Sequence, residues 1–165
     1  MNTQPILDAQ QINHKIRRIA YQIYETFSSD TEVVIAGICG NGYVFAEELS
    51  KMLTEISPIK ATLCEITIDK KNPMNPISTS IDAAQYQDKS VVIVDDVLHT
   101  GTTLVYGVKH FLDTPLKKLK TAVLVDRNHK KYPIKADFKG LSLSTSLQEH
   151  VNVVFDKDNT AVYLS

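Results

Sequence analysis

Asp95 and Asp96, followed at once by Thr100, Gly101, Thr102 and Thr103, bring two kinds of chemistry into one short run. Adjacent carboxylates repel, so a diol or a divalent cation beside them relieves the cost of ionising both. The Thr-Gly-Thr-Thr turn has the features of a phosphate cradle. A helix beginning there exposes unpaired N–H groups and the positive end of its dipole, Gly101 allows close backbone approach, and three hydroxyls add donors. No Lys follows the glycine as in a Walker A loop, so a monophosphate suits the turn better than a nucleoside triphosphate. Carboxylates next to a phosphate cradle fit a sugar phosphate. Either half alone reads more simply as a strand end or a helix cap. Joined in one run after the β-branched Val91–Val94, they point to a ligand.

Other residues could serve the same site. Gly37 to Gly42 (GICGNG) is a second Gly-rich turn, and Cys39, Gly40, Asn41 and Gly42 offer backbone N–H groups to an anion. His99, three residues after the acidic pair, is of a type that exchanges protons near neutral pH. Asp126 and Arg127 end a later apolar run, where Arg127 could meet a substrate oxygen and Asp126 orient it, or the two could form a plain ion pair. Glu65 and Asp69 could reach a metal, and Lys130, Lys131, Lys135 and Lys139 read as a solvated run. Cys39 and Cys64 lack CxxC spacing and a His-rich neighbourhood, which favours structural thiols over a zinc site or a disulfide.

The elements that must position these groups alternate. Ile12, Ile16, Ile19, Ala20, Ile23, Tyr24 and Phe27 mark an amphipathic helix whose other face carries Lys15, Arg17 and Arg18. Val33 to Ile38 is a strand, and Phe45, Leu49, Met52, Leu53 and Ile56 stripe a second helix. A strand over Ala61–Ile68 precedes Asp69–Ser80, where Pro73 and Pro76 predict a mobile surface loop. Val91–Val94 is a strand buried on both faces, and Leu104, Val105, Val108, Phe111 and Leu112 stripe a third helix. Thr121–Val125, Val151–Phe155 and Ala161–Leu164 are further strands. Strands alternating with helices predict a parallel sheet with ligands beyond its carboxyl edge, where both Gly-containing turns fall.

The 165 residues suit one α/β domain, residues 1–165. With 43% hydrophobic and 22% charged residues, the composition is that of an ordinary globular protein. A net charge of −1 gives no general attraction to nucleic acid or membrane. Neither a basic-then-apolar leader nor a run near the ~20 apolar residues of a membrane span is present, and the expected location is the cytoplasm.

The run VVIVDDVLHTGTT (Val91–Thr103) resembles the phosphoribosyl pyrophosphate motif of type I phosphoribosyltransferases. ILDAQQI, VLVDRNHKKYPIKADF and GLSLSTS extend the resemblance to the bacterial pyrimidine operon regulators that are also uracil phosphoribosyltransferases. The resemblance implies a parallel sheet flanked by helices with a small hood, and transfer of phosphoribose from its diphosphate to a nucleobase, first of all uracil. It places Asp95 and Asp96 on the ribose hydroxyls, Thr100–Thr103 on the 5-phosphate and Cys39–Gly42 on pyrophosphate. It also puts His99 beside the base, with Phe138 stacking on it and the Lys139 backbone bonding to it. Mg2+ arrives with the donor, and the protein associates with itself. Three features depart from the pattern: the pyrophosphate turn has no basic residue, the Asp69–Gln87 segment is short with only Lys70 and Lys71 as cations, and the RNA-facing positions hold Arg17, Tyr21 and Leu141, leaving His129 and Lys130. A purine acceptor and a nucleotide-sensing RNA-binding regulator are the alternatives, with RNA ranked behind catalysis. A phosphorylated receiver domain would use an acidic pair but leaves the Thr-Gly-Thr-Thr turn unexplained.

Overall fold

The computed structural model describes residues 4–144, 146 and 149–165, so Thr145 of the GLSLSTS run lies outside the described residues. In chain order the elements are β1 (Pro5–Leu7), α1 (Ala9–Thr26), β2 (Glu32–Ile38), α2 (Asn41–Ile56), β3 (Lys60–Thr67), β4 (Ser78–Thr79) and α3 (Ala83–Tyr86). They continue with β5 (Ser90–Leu98), α4 (Thr102–Phe111), β6 (Lys118–Asp126), β7 (Phe138–Ser142), β8 (Val151–Asp156) and β9 (Asn159–Leu164).

Helix α1 begins at a capping box, in which the Gln11 N–H donates to Asp8 Oδ1 at 2.8 Å and the Asp8 N–H to Gln11 Oε1 at 2.9 Å. Its stripe Ile12, Ile16, Ile19, Ala20 and Ile23 is buried, as the spacing predicts. The main sheet runs β4-β3-β2-β5-β6-β7, with every neighbouring pair parallel except β3 and β4. A separate antiparallel sheet, β1-β9-β8, forms the small hood.

The central strands are buried on both faces, which is why they read as continuous β-branched runs. Val33, Ile35, Val92 and Val94 face one core with Ile19, Phe27, Phe45 and Leu49 from α1, its C-terminal cap and α2. Val34, Ala36, Ile38, Val91 and Ile93 face the other, with Tyr86 and Phe111. Each fully buried Val, Ile or Phe contributes about 1.5–3 kcal/mol, so the strands carrying the site are the most firmly held part of the chain. From β2 the chain crosses through α2 to β3, and from β5 it crosses through α4 to β6 on the opposite side. The carboxyl ends of β2 and β5 therefore flank a topological switch point, where open α/β sheets hold their ligands.

Three sequence expectations change. Strand β7 was not predicted, because Pro133 and the interleaved Lys135 and Lys139 break the apolar pattern; it pairs parallel with β6 from Ala122–Phe138 to Asp126–Ser142. The Asp69–Ser80 loop contains β4 and a hydrogen-bonded turn. In it Asp69 Oδ1 accepts from the Lys71 and Asn72 N–H groups at 2.9 and 3.2 Å, and Asp69 Oδ2 from Asn75 Nδ2 at 3.1 Å. Leu112, placed in the third helix stripe, caps α4 and is 63% exposed. Among the described residues no helix is long and apolar enough to cross a membrane.

Candidate active site

Asp95 and Asp96 lie near the carboxyl end of β5. Asp95 is 6% exposed and its Oδ1 accepts the Asp96 N–H at 2.9 Å, while Asp96 is half-buried. Burial first, then the Asp96 charge, push the Asp95 carboxyl well above the usual range, and the Lys70 ammonium offsets part of that rise. The pair therefore keeps one carboxylate poor at holding charge unless hydroxyl donors or a cation are added.

The turn after β5 is closely fitted. Gly101 has φ +85°, and a Cβ there would lie 2.3 Å from Ile134 Cγ2, so both backbone and space require glycine. The Thr100 carbonyl accepts from the Lys131 N–H at 2.8 Å, which ties the turn to the loop carrying Ile134. Thr100 Oγ1 lies 2.9 Å from Thr102 Oγ1 and accepts the Thr102 N–H at 3.4 Å, while the N-cap residue Gly101 adds no side-chain bond. The Thr102 contact is long, so an anion can compete for the N–H groups at the start of α4. Asp95, His99 and Thr100–Thr103 line a hollow of about 70 Å3 at this point.

The second turn meets the first. A Cβ on Gly42 would stand 2.8 Å from Asp95 Oδ1, so glycine lets the start of α2 rest against the acidic pair. Cys39 is half-buried; its N–H donates to the Ile66 carbonyl at 2.9 Å, and its Sγ lies 3.7 Å from the Ile68 carbonyl. Gly40 caps α2, and Asn41 Nδ2 donates to the Val153 carbonyl of the hood at 2.8 Å. These bonds join the Cys39–Gly42 turn to the end of β3, just before Lys70. The structure thus gathers Asp95, Asp96, His99, Thr100–Thr103 and Cys39–Gly42 at one edge.

His99 is half-buried, with its ring edge-on to His129 at 5.8 Å between centroids. Burial, then the Arg127 guanidinium, hold His99 below the ordinary histidine range, and His129, His150 and Lys131 act in the same direction. A neutral imidazole there is ready to accept a proton. His150 carries no sequence signal; it comes into range because His150 and Ser165 exchange backbone hydrogen bonds at the base of the hood.

Arg127, Phe138 and Lys139, which the resemblance and the sequence place at the substrate, each take part in contacts within the fold. Arg127 is 3% exposed, and its charge acts on His99. Its N–H donates to the Leu98 carbonyl at 2.9 Å, and its Nη2 donates to the carbonyls of Ser146, at 3.4 Å, and Glu149. Phe138 does not reach the edge. It pairs with Ala122 in the middle of β6 and is 6% exposed in the core, where a large apolar ring is most stable. The Lys139 backbone belongs to the β7 ladder, and its carbonyl accepts from Arg18 Nη2 at 2.8 Å. Its ammonium lies 3.9 Å from Asp126, which also pairs with Lys130 at 3.5 Å and accepts the Asn128 N–H at 3.1 Å. Asp126 thus takes part in shaping its own turn.

Glu65 and Asp69 belong to no group of three or more metal-ligating side chains among the described residues. The Glu65 N–H donates to Ser80 Oγ at 2.8 Å, and Asp69 is the hub of its turn. No group of three or more His, Cys, Asp or Glu residues suited to a metal occurs among the described residues. Mg2+ carried on substrate oxygens fits this arrangement, since the buried Asp95 carboxyl beside Asp96 welcomes positive charge.

The model of the phosphoribosyl transferase domain family matches residues 2–158. The bifunctional protein PyrR of Fusobacterium nucleatum is 36% identical over 156 residues, covering 90% of this chain and 88% of the relative. The bifunctional protein PyrR of Geobacter sp. strain M21 is 33% identical over 162 residues, covering 93% and 92%. Among solved structures, the hypoxanthine phosphoribosyltransferase of Trypanosoma cruzi superposes with a TM-score of 0.77 over 97% of this chain and 95% of that one, at 18% identity. A hypoxanthine-guanine phosphoribosyltransferase from Bacillus anthracis gives 0.72 over 87% and 84%, at 23% identity. At such identities the structures support the fold alone.

Proposed function

The chain belongs to the phosphoribosyl transferase domain family, and from that premise we propose that it transfers a 5-phosphoribosyl group from phosphoribosyl pyrophosphate to uracil. The observation that carries the reading is the contact of the two Gly-containing turns across Asp95. One turn suits the 5-phosphate, the other suits pyrophosphate, and the acidic pair lies between them where ribose hydroxyls must sit.

In the reaction the uracil N1–C1′ bond forms as the bond from C1′ to pyrophosphate oxygen breaks, and pyrophosphate leaves with the electron pair. The N1 proton passes to the neutral His99 imidazole. Asp95 and Asp96 hold the 2- and 3-hydroxyls and face the positive charge that develops on the ribose ring. Thr100–Thr103 anchor the 5-phosphate, so the anomeric carbon is presented at a fixed distance from the base. Mg2+ bound to the donor supplies charge neutralisation for the leaving pyrophosphate. Lys70, on its Asp69-centred turn beside Cys39–Gly42, provides the cation that the pyrophosphate turn itself lacks.

Uracil is favoured over a purine by the resemblance of the VLVDRNHKKYPIKADF and GLSLSTS segments to bacterial pyrimidine operon regulators that are also uracil phosphoribosyltransferases. The test is turnover of a panel of bases with labelled phosphoribosyl pyrophosphate. Uracil is expected to be converted to its nucleotide, and turnover of hypoxanthine or guanine with none of uracil would refute the choice.

A further inference from the structure

Asn41 opens α2 on the turn read as the pyrophosphate site, yet its side-chain amide is committed elsewhere, donating to the Val153 carbonyl of β8 at 2.8 Å. Ladder pairing leaves that carbonyl without a partner in its own sheet. His150 and Ser165 exchange backbone hydrogen bonds, and the β8–β9 register runs on from them through Val151–Leu164, Asn152–Tyr163 and Val153–Val162. Exchanging pairs alternate along an antiparallel ladder. Asn152–Tyr163 and Val154–Ala161 therefore repeat the exchange, while Val153 points its N–H and carbonyl to the outer edge of β8. Val153 is 7% exposed, and a carbonyl so placed requires a donor. Asn41 supplies it. One turn further along the same face of α2, Phe45 stacks on Phe155 of β8, with ring centroids 6.4 Å apart and planes within 12° of parallel. The residue after Asn41 is Gly42, which rests against Asp95. The start of α2 thus touches the acidic pair and the hood together.

We propose that Asn41 is a positioning residue that latches the hood to the pyrophosphate turn, so that an anion on the turn and a docked hood favour each other. The inference rests on the phosphoribosyl transfer reading, which puts pyrophosphate on Cys39–Gly42. A residue that opens a helix has a backbone N–H with no partner inside it. In Asn41 that N–H is offered to the anion while the side chain holds β8. One residue carries both contacts, and pinning either of them fixes the backbone on which the other depends. An amide suits the task because it donates to the edge carbonyl without a charge or a proton equilibrium of its own.

The test is hydrogen exchange at the Val154 and Ala161 amides of the β8–β9 ladder, in the full chain with and without phosphoribosyl pyrophosphate and Mg2+. In wild type the donor is expected to slow this exchange about fivefold or more, the lower end for coupled sites. Without donor, Asn41→Ala should exchange about threefold faster, as the loss of one hydrogen bond allows. The donor should no longer slow it. Linkage then requires the donor Kd of Asn41→Ala to rise by the same factor by which the donor slows wild-type exchange. Asn41→Asp keeps the size of the side chain and suits a helix N-terminus, but its carboxylate has no proton to donate to Val153. Its hood should exchange as fast as that of Asn41→Ala, with circular dichroism confirming that both variants fold. Donor that leaves wild-type exchange unchanged, or slows it equally in wild type and Asn41→Ala, would overturn the proposal. If wild type binds the donor but converts no base, the transfer reading fails while the same exchange results still judge the latch. If wild type binds neither the donor nor pyrophosphate, both fall.

Discussion

Replacing Gly101 by Ala should cost stability for two separable reasons. An L-residue at φ +85° pays about 1–2 kcal/mol for the left-handed conformation. The new Cβ would stand 2.3 Å from Ile134 Cγ2, and forcing an extra methyl into packed space costs about 1–3 kcal/mol. Ile134 is half-buried and can retreat partway, so the sum should fall at about 2–4 kcal/mol, or a melting point lower by about 5–15 °C for a chain of this size. Urea unfolding of Gly101→Ala, Ile134→Ala and the double variant separates the parts. Truncating Ile134 removes the clashing carbon, so the Gly101→Ala penalty should shrink by about 1 kcal/mol or more in that background while the conformational part persists. A single variant within about 0.5 kcal/mol of wild type, or penalties that simply add, would refute the reasoning. Phosphoribosyl pyrophosphate binding should weaken with it, because the same turn must wrap the phosphate.

The raised Asp95 carboxyl means that the folded state holds this proton more tightly than the unfolded chain does. Its stabilising contribution is present below the unfolded carboxylate range and is lost as pH rises through the folded value. Asp95→Asn should therefore gain stability relative to wild type as pH rises above the unfolded carboxylate range, and an advantage that shrinks toward alkaline pH in urea unfolding would contradict this. Lys70→Met should weaken the affinity for phosphoribosyl pyrophosphate about tenfold, near the low end for a charged hydrogen bond at an exposed site. Calorimetry should find Lys71→Met close to wild type and the affinity for uridine monophosphate, which carries no pyrophosphate, unchanged in both. Phe138→Leu should cost roughly 1–2 kcal/mol in urea unfolding through lost core contacts. Steady-state kinetics should leave the uracil KM of that variant within twofold, and a large rise in KM would return Phe138 to the base.

The main sheet, and the proximity of the acidic pair to the Thr-Gly-Thr-Thr turn, were legible because each is written locally. Val91–Val94 needs no distant residue to read as a buried strand, and Asp95 to Thr103 carries strand end, carboxylates and phosphate turn within one run. The meeting of Gly42 with Asp95 also follows from chain order, since both turns leave neighbouring parallel strands on the same edge. The base side was poorly legible because its parts are contributed by contacts remote in sequence. Nothing near Arg127 in the sequence signals its bonds to the carbonyls of Ser146 and Glu149. Phe138 sits in a strand that the sequence does not announce, and only the β6–β7 register places it opposite Ala122. Lys70 lies among prolines and asparagines that suggest a featureless loop, and only the Asp69 hydrogen bonds reveal a fixed turn.

The central claim is that Asp95 and Asp96, between two anion-binding turns, hold the ribose of phosphoribosyl pyrophosphate. Calorimetric titration of that donor with Mg2+ tests it most directly, on wild type and on the Asp95→Asn/Asp96→Asn double variant. Saturable binding by wild type and a loss of roughly a hundredfold in the double variant, equivalent to about 2.8 kcal/mol, is the predicted result. Undiminished binding by the folded double variant would contradict the account.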